Sequence, residues 1–326
     1  MRKNSWYRIV VLTVCLSAGM LSAGDGGKAD HERGLRYAEG VGVKQDLVEA
    51  VKWFRKAAEQ GNVAAQYNLG LAYARGDGVR QNLAEAAKWW RKAAEQGNPD
   101  AQCIFGWAHA RGDGVAQNFT EAVTWWQKAA NQGHAESQYN LARSYEFGQG
   151  IEKNLPEAVK WYRKAADQGF ADAQCALGNA YCNGTGVKQD FSEAMKWWRK
   201  AAEQDNVRAQ CILGMAYGRG KDVKQDLAEA AKWFRRAAEQ GDAIAQCMYG
   251  TANAGGFGVA QNFTEAVKWW RKAAEQDNAE AQYYLGMAHA QGDGVTQNRA
   301  EAEKWLNKAA AQGHPRAIEQ LKKMGK

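Results

Sequence analysis

The chain has 326 residues and a formal net charge of +7 at pH 7. Arg2, Lys3 and Arg8 supply three of those charges and residues 1–24 contain no acid, so the remainder carries +4. This mildly basic balance does not call for a nucleic acid partner, and no later apolar run is long enough to predict a membrane span.

The first predicted element is a secretory signal peptide at residues 1–24. Basic residues precede an apolar run of thirteen residues from Ile9 to Leu21, and the sequence then turns small and polar at Ser22. This order predicts cleavage after Ala23 or Gly24. We therefore expect an exported protein, periplasmic or extracellular.

From Gly27 onward the sequence repeats every 36 residues. The segment AQYNLG at 65–70 returns as AQCILG at 209–214 and as AQYYLG at 281–286. Eight units begin at residues 27, 63, 99, 135, 171, 207, 243 and 279, and a partial ninth at 315–326 forms a cap. We therefore predict one repeat domain over residues 25–326, and positions 1 to 36 below are counted within each unit.

Each unit predicts two helices. Helix A covers positions 1 to 13 and ends at a glycine, whereas helix B covers about positions 21 to 34 and ends at a glycine, Asp205 or Asp277. Position 20 is always Asn or Asp and position 23 is always Glu, which predicts a capping box at the start of helix B. Asn118 and Asn262 also lie in Asn-x-Thr motifs, but as helix caps they are poor sugar acceptors.

Paired aromatic residues recur at positions 27 and 28, as in Trp89 and Trp90. On a helix they share one side with alanines at positions 24, 31 and 32, which predicts core packing and not a carbohydrate platform. One ring is expected to face its own helix A while the other faces the next unit.

The motifs Leu69-Gly70-x-x-Tyr73, Gly-x-Gly-Val and Glu-Ala-x-x-Trp together resemble the Sel-one-like repeat (SLR) family, which is related to tetratricopeptide repeats. The resemblance implies an all-α, right-handed superhelical α-solenoid of eight helix-turn-helix repeats with a C-terminal capping helix. It also implies a non-enzymatic scaffold or adaptor whose partners are proteins or peptides.

An alternative is the β-lactamase or penicillin-binding activity attributed to cysteine-rich relatives. The cysteines Cys103, Cys175, Cys211 and Cys247 all occupy position 5 of helix A, about 8–10 Å or more apart when adjacent helices pack normally, which is too far for disulfides. No two histidines have the spacing of a pair of metal ligands, so we predict no metal site. We also predict no cofactor and no catalytic residue.

Differences between units point to the binding surface. Positions 2, 5, 6, 9, 12 and 13 of helix A vary and lie on one arc, which in the tetratricopeptide arrangement is concave. In units two to five this arc is mostly charged, including Arg75, Asp100, Arg111 and Glu136. The predicted partner-binding residues are the apolar ones, Trp107, Ile212, Met215, Ile244, Met248, Tyr283, Tyr284 and Met287. The alternative is that superhelical closure buries them against each other.

The remaining charged feature is a basic stripe on helix B at positions 26, 29 and 30, for example Lys88, Arg91 and Lys92. It alternates with Glu at position 33, which indicates a solvated face. A third function, weak contact with envelope glycan or an anionic lipid surface, would use this stripe.

Overall fold

The computed structural model describes residues 26–220 and 222–325, and the predicted signal peptide at 1–24 lies outside them. The described residues form seventeen helices. In chain order these are α1 Lys28–Glu39, α2 Leu47–Glu59, α3 Val63–Arg75, α4 Leu83–Glu95, α5 Pro99–Arg111, α6 Phe119–Asn131, α7 Ala135–Phe147, α8 Leu155–Asp167, α9 Ala171–Asn183, α10 Phe191–Glu203, α11 Val207–Arg219, α12 Leu227–Glu239, α13 Ala243–Gly255, α14 Phe263–Ala274, α15 Ala279–Gln291, α16 Arg299–Ala311 and α17 Pro315–Met324.

The chain divides into two compact parts between Ala165 and Ala166. From here on these parts are called the first unit and the second unit, and each 36-residue segment is called a repeat. In the first unit consecutive helices pack on one another from α1 to α7, and in the second they do so from α9 to α17. Odd-numbered helices are A helices and even-numbered helices are B helices, except that α17 follows the last pair. Within each unit this arrangement confirms the predicted all-α fold of stacked helix pairs.

Two glycines shape the turn from helix A to helix B. Gly76 ends α3 with φ 81°, in the left-handed region that favours glycine. A Cβ on Gly78, two residues later, would lie 2.0 Å from the carbonyl oxygen of Leu47 in α2. The turn can therefore lie on the start of the preceding helix B only because a glycine occupies that position.

The start of helix B corrects one part of the predicted capping box. The side chain of Asn262 accepts a hydrogen bond from the Glu265 amide at 3.0 Å, as expected. However, the Asn262 amide donates to the carbonyl oxygen of Asn253 on α13, at 2.8 Å. Glu265 instead accepts bonds from Lys268 and Trp269. The turn brings the cap amide onto helix A, so the glutamate is not needed there.

The paired aromatic rings are core residues, as predicted, and Trp90 is 1% exposed. The neighbours that the two rings contact differ from the prediction. The position 27 ring Trp125 packs on Phe105 of its own helix A, with ring centroids 5.3 Å apart. The position 28 ring Trp270 lies on Gly250 of its own helix A and also stacks on Tyr284 of the next repeat, at 5.2 Å. One ring therefore makes both contacts.

A buried glutamine joins each repeat to the previous one. Gln66 is 4% exposed, donates to the carbonyl oxygen of Ala58 at 3.2 Å and accepts from Gln96 at 2.7 Å. Equivalent bonds link Gln210 to Ala202 and Gln240. Because a buried amide must find partners, this network fixes how helix A lies on the preceding helix B.

Candidate protein-binding surface

The variable positions of helix A are held in place by caps at both ends of the helix. Asn62 accepts from the Ala65 amide at 2.9 Å and so begins α3, and Asn98 begins α5 in the same way. The opposite side of α3 is anchored by Leu69 and Ala65, which are completely buried. We call the surface formed by positions 2, 5, 6, 9, 12 and 13 of the A helices the helix A surface.

In the first unit the helix A surface contains a pocket of about 110 Å³. We call it the first-unit pocket. It lies between α3 and α5, and the cap and first turn of α7 complete it; the lining residues are Tyr67, Leu71, Arg75, Asp100, Cys103, Ile104, Trp107, Arg111, His134 and Glu136. Of the predicted partner-binding residues, Trp107 is the one that lines this pocket.

The acidic groups of the first-unit pocket are engaged in hydrogen bonds. Glu136 Oε1 accepts from the indole Nε1 of Trp107 at 3.0 Å. Asp100 Oδ1 lies 3.3 Å from His134 Nε2, and this bond lowers the pKa of Asp100. His134 Nδ1 in turn accepts from the Ser137 amide at 3.2 Å and caps α7. No helix cap was predicted at His134 from the sequence.

The basic groups of the pocket have different surroundings. The Arg111 guanidinium lies over the Trp107 ring, with its Cζ 4.5 Å from the ring centroid. Arg75 Nε is buried without a hydrogen-bond partner. Neither arginine forms an ion pair with any residue in 26–220 or 222–325. The pocket therefore offers cationic donors beside an aromatic wall.

Tyr67, Leu71 and Cys103 also line this pocket and were not among the predicted site residues. They occupy positions 5 and 9, so comparing those positions in adjacent repeats would have found them. Burial raises the pKa of the Tyr67 phenol and of the Cys103 thiol, so both stay protonated at neutral pH.

In the second unit the helix A surface is more apolar. Ile244 and Met248 on α13 are 54% and 40% exposed, and they lie four residues apart on the same side of the helix. The other predicted residues there, Ile212, Met215, Tyr283, Tyr284 and Met287, are partly buried. The structure thus exposes Ile244 and Met248 to solvent, whereas some of the other five residues take part in packing.

The two tyrosines belong to a polar cluster at the end of the second unit. Tyr283 stacks on His314 with centroids 4.8 Å apart, and Arg316 lies over both tyrosine rings. Glu280 accepts hydrogen bonds from His314 and Arg316. Burial alone would raise the pKa of Glu280, but these bonds and one with Tyr284 outweigh burial and lower it.

The basic stripe of helix B is paired within its own helix. Lys88 Nζ lies 2.6 Å from Glu85, and Arg91 Nε lies 2.7 Å from Glu95. Lys92 Nζ lies 4.1 Å from the centroid of the Trp89 ring. These contacts agree with a solvated face whose charges are balanced locally.

A model of the Sel1 repeat matches the sequence nine times, at residues 18–39, 28–62, 63–98, 99–134, 135–170, 171–206, 207–242, 243–278 and 279–314. The chain belongs to the Sel1 repeat family. The resemblance to Sel-one-like repeats is therefore confirmed.

Two solved structures of Sel1 repeat proteins are similar over most of the chain. A Sel1 repeat protein from Oxalobacter formigenes is 34% identical with a TM-score of 0.72, over 91% of this chain and 87% of that one. The protein c5321, a protective antigen of uropathogenic Escherichia coli strains, is 36% identical with a TM-score of 0.66, over 90% of this chain and 71% of that one. Comparison with curated protein sequences finds no significant match.

Sel1 repeat proteins are generally non-enzymatic scaffolds, and membership in the family indicates a role in protein–protein interaction. In residues 26–220 and 222–325 no group of three or more His, Cys, Asp and Glu side chains is placed to hold a metal ion. The helices of the same part of the chain are all too short or too polar to cross a membrane. Cys103, Cys175, Cys211 and Cys247 are free thiols, as predicted.

Proposed function

We propose that this Sel1 repeat protein is an exported scaffold that binds another protein or peptide through its helix A surface, in envelope or host-cell interaction. Export is supported by the basic and apolar pattern of residues 1–24. It would place the protein in the periplasm or outside the cell.

The observation that carries the binding proposal is the exposure of Ile244 and Met248 on α13. The other side of α13 is buried, with Ala245 at 0% and Gln246 at 4% exposed. An adaptable thioether beside a branched aliphatic side chain suits an apolar partner segment. Because these two residues stay exposed, the alternative of complete mutual burial is disfavoured for them.

Capture of partners from the native envelope tests this proposal. Wild-type protein is immobilised, bound envelope proteins are identified by mass spectrometry, and the experiment is repeated with the double variant Ile244→Glu, Met248→Glu. We expect the variant to lose a partner that the wild type enriches, because two charges would have to be desolvated at the interface.

The matched control is Val48→Glu on α2, which alters an apolar side chain that is 55% exposed but lies on a B helix. It should retain the partner. If the double variant folds normally and captures the same set of proteins as the wild type, the helix A surface of the second unit is not the binding surface.

Contact with envelope glycan or an anionic lipid surface is a weaker candidate. The lysines and arginines that would make it already pair with glutamates on their own helices. Such contact would therefore be weak and sensitive to salt.

A further inference from the structure

We propose that the first-unit pocket binds the side-chain carboxylate of a glutamate in an acidic segment of a protein partner, through Arg75 and Arg111. This inference rests on the proposed function, because it assigns one subsite within the same helix A surface. It concerns the first unit, whereas the exposed apolar residues of the proposed function lie in the second.

The charge balance of the pocket points to an anion. Its acidic groups are already engaged, Glu136 with the Trp107 indole and Asp100 with His134. Its arginines have no such partners, and the buried Nε of Arg75 is an unsatisfied donor. Buried donors without an acceptor are rare in folded proteins, and this one belongs to a side chain that lines an open pocket, where a ligand can supply the acceptor.

The donor type favours a carboxylate. A guanidinium presents N–H groups in a planar fork that matches the two oxygens of a carboxylate, and such charged hydrogen bonds are stronger than neutral ones. Arg111 is held against the Trp107 ring, so less side-chain freedom is lost when a ligand binds.

The apolar wall favours glutamate as the source of the carboxylate. Leu71, Ile104 and Trp107 line the pocket beside the arginines. The methylene groups of a glutamate can pack on these side chains while its carboxylate reaches the guanidinium groups. A pocket of about 110 Å³ has room for one such side chain, since about 10–15 Å³ of this kind of volume already holds a water molecule.

A defined peptide tests the assignment on the full chain. The probe is octaglutamate with an acetylated N-terminus and an amidated C-terminus, titrated by isothermal titration calorimetry at physiological salt. We expect binding that Arg75→Gln and Arg111→Gln each weaken about tenfold or more, because each variant removes charge-assisted hydrogen bonds. Arg75→Lys should also weaken binding while retaining the charge, and circular dichroism checks that each variant is folded.

Arg219→Gln is the matched control, because Arg219 also ends an A helix, α11, and is exposed outside the pocket. It should leave the dissociation constant nearly unchanged, and end-blocked octaglutamine should not bind. An equal loss with Arg219→Gln would mean general charge attraction and overturn the proposal. So would no binding of octaglutamate, binding only when the peptide has a free C-terminal carboxylate, or preferential binding of a phosphoserine peptide.

The two experiments can refute the two proposals independently of each other. If envelope capture depends on Ile244 and Met248 but octaglutamate does not bind, only the carboxylate subsite is wrong. If octaglutamate binding depends on Arg75 while the double variant captures every partner, the apolar part of the proposed surface is wrong.

Discussion

His134 and His314 each begin a helix and also join neighbouring repeats. His314 Nδ1 accepts from the Ala317 amide at 3.2 Å, which requires that this nitrogen carry no proton. Its Nε2 lies 2.7 Å from Glu280 on the preceding A helix. A single imidazole thus replaces the asparagine cap of other repeats and adds a contact that reaches from α17 to α15.

Glu280 gives this contact a dependence on pH. Its pKa is lowered from the ordinary value of 4.5, so the native state releases the proton more readily than the unfolded state. The stabilising contribution is therefore present above about pH 4.5 and is lost as the pH falls through the lower native pKa.

We therefore expect Glu280→Gln to be less stable than the wild type at pH 7, with a smaller difference at pH 3. Urea unfolding at the two pH values measures this change. Glu275→Gln, at the exposed end of α14, is the control and should show no such difference. A stability deficit of Glu280→Gln that is the same at both pH values would show that shape, and not charge, explains the contact.

At the scale of the helix pair, helix A and helix B pack closely where position 8 of helix A meets position 28 of helix B. A Cβ on Gly106 would lie 2.5 Å from Trp126 Nε1, which donates to the Cys103 carbonyl oxygen at 3.2 Å. Repeat four departs from this pattern because Ala142 replaces the glycine and Tyr162 replaces the tryptophan. The glycine is kept where position 28 is Phe54, Phe234 or Leu306, so repeat four is the one repeat with a larger residue at position 8.

Gly106→Ala should destabilise the protein. Moving the buried ring costs about 1–3 kcal/mol for overpacking and about 1–3 kcal/mol for the indole bond, which exceeds the gain of about 1 kcal/mol from helix propensity. Gly218→Ala is the control, since its Cβ would meet nothing closer than Ala230 at 3.8 Å. Urea unfolding should show opposite signs for the two variants, and a neutral or stabilising Gly106→Ala would contradict this account of the contact.

Helix pairs, their caps and their core rings could be predicted from the sequence because each recurs in every 36-residue repeat. The capping box was half wrong because the partner of the Asn262 amide depends on where the turn places it, and local spacing does not contain that information. The first-unit pocket was harder to predict. Arg75, Asp100, Arg111 and Glu136 were expected on one surface, but which charges pair with each other depends on tertiary geometry.

At the scale of the whole molecule, packing contacts join consecutive helices within each unit. In such repeat proteins the free energy of unfolding is close to a sum of terms for each repeat and each interface. The effect of a change at one end should therefore decline with distance along the chain. This property also lets the helix A surface differ from one repeat to the next, because each repeat depends mainly on its neighbours.

Deletion of residues 315–326 tests this expectation. The deletion removes α17, whose Leu321 and Met324 pack with the buried residues Leu306 and Ala309, and whose Met324 carbonyl accepts from Arg299. Exposing one leucine costs about 1.5–3 kcal/mol, so hydrogen exchange in α15 and α16 should become at least about tenfold faster. Exchange in α3 and α4 should not change, and Ile318→Glu, on the exposed side of α17, should leave both regions as in the wild type. Equal acceleration in α3 and α16 would mean that the chain unfolds as one cooperative block, and the additive description of the repeats would then be wrong.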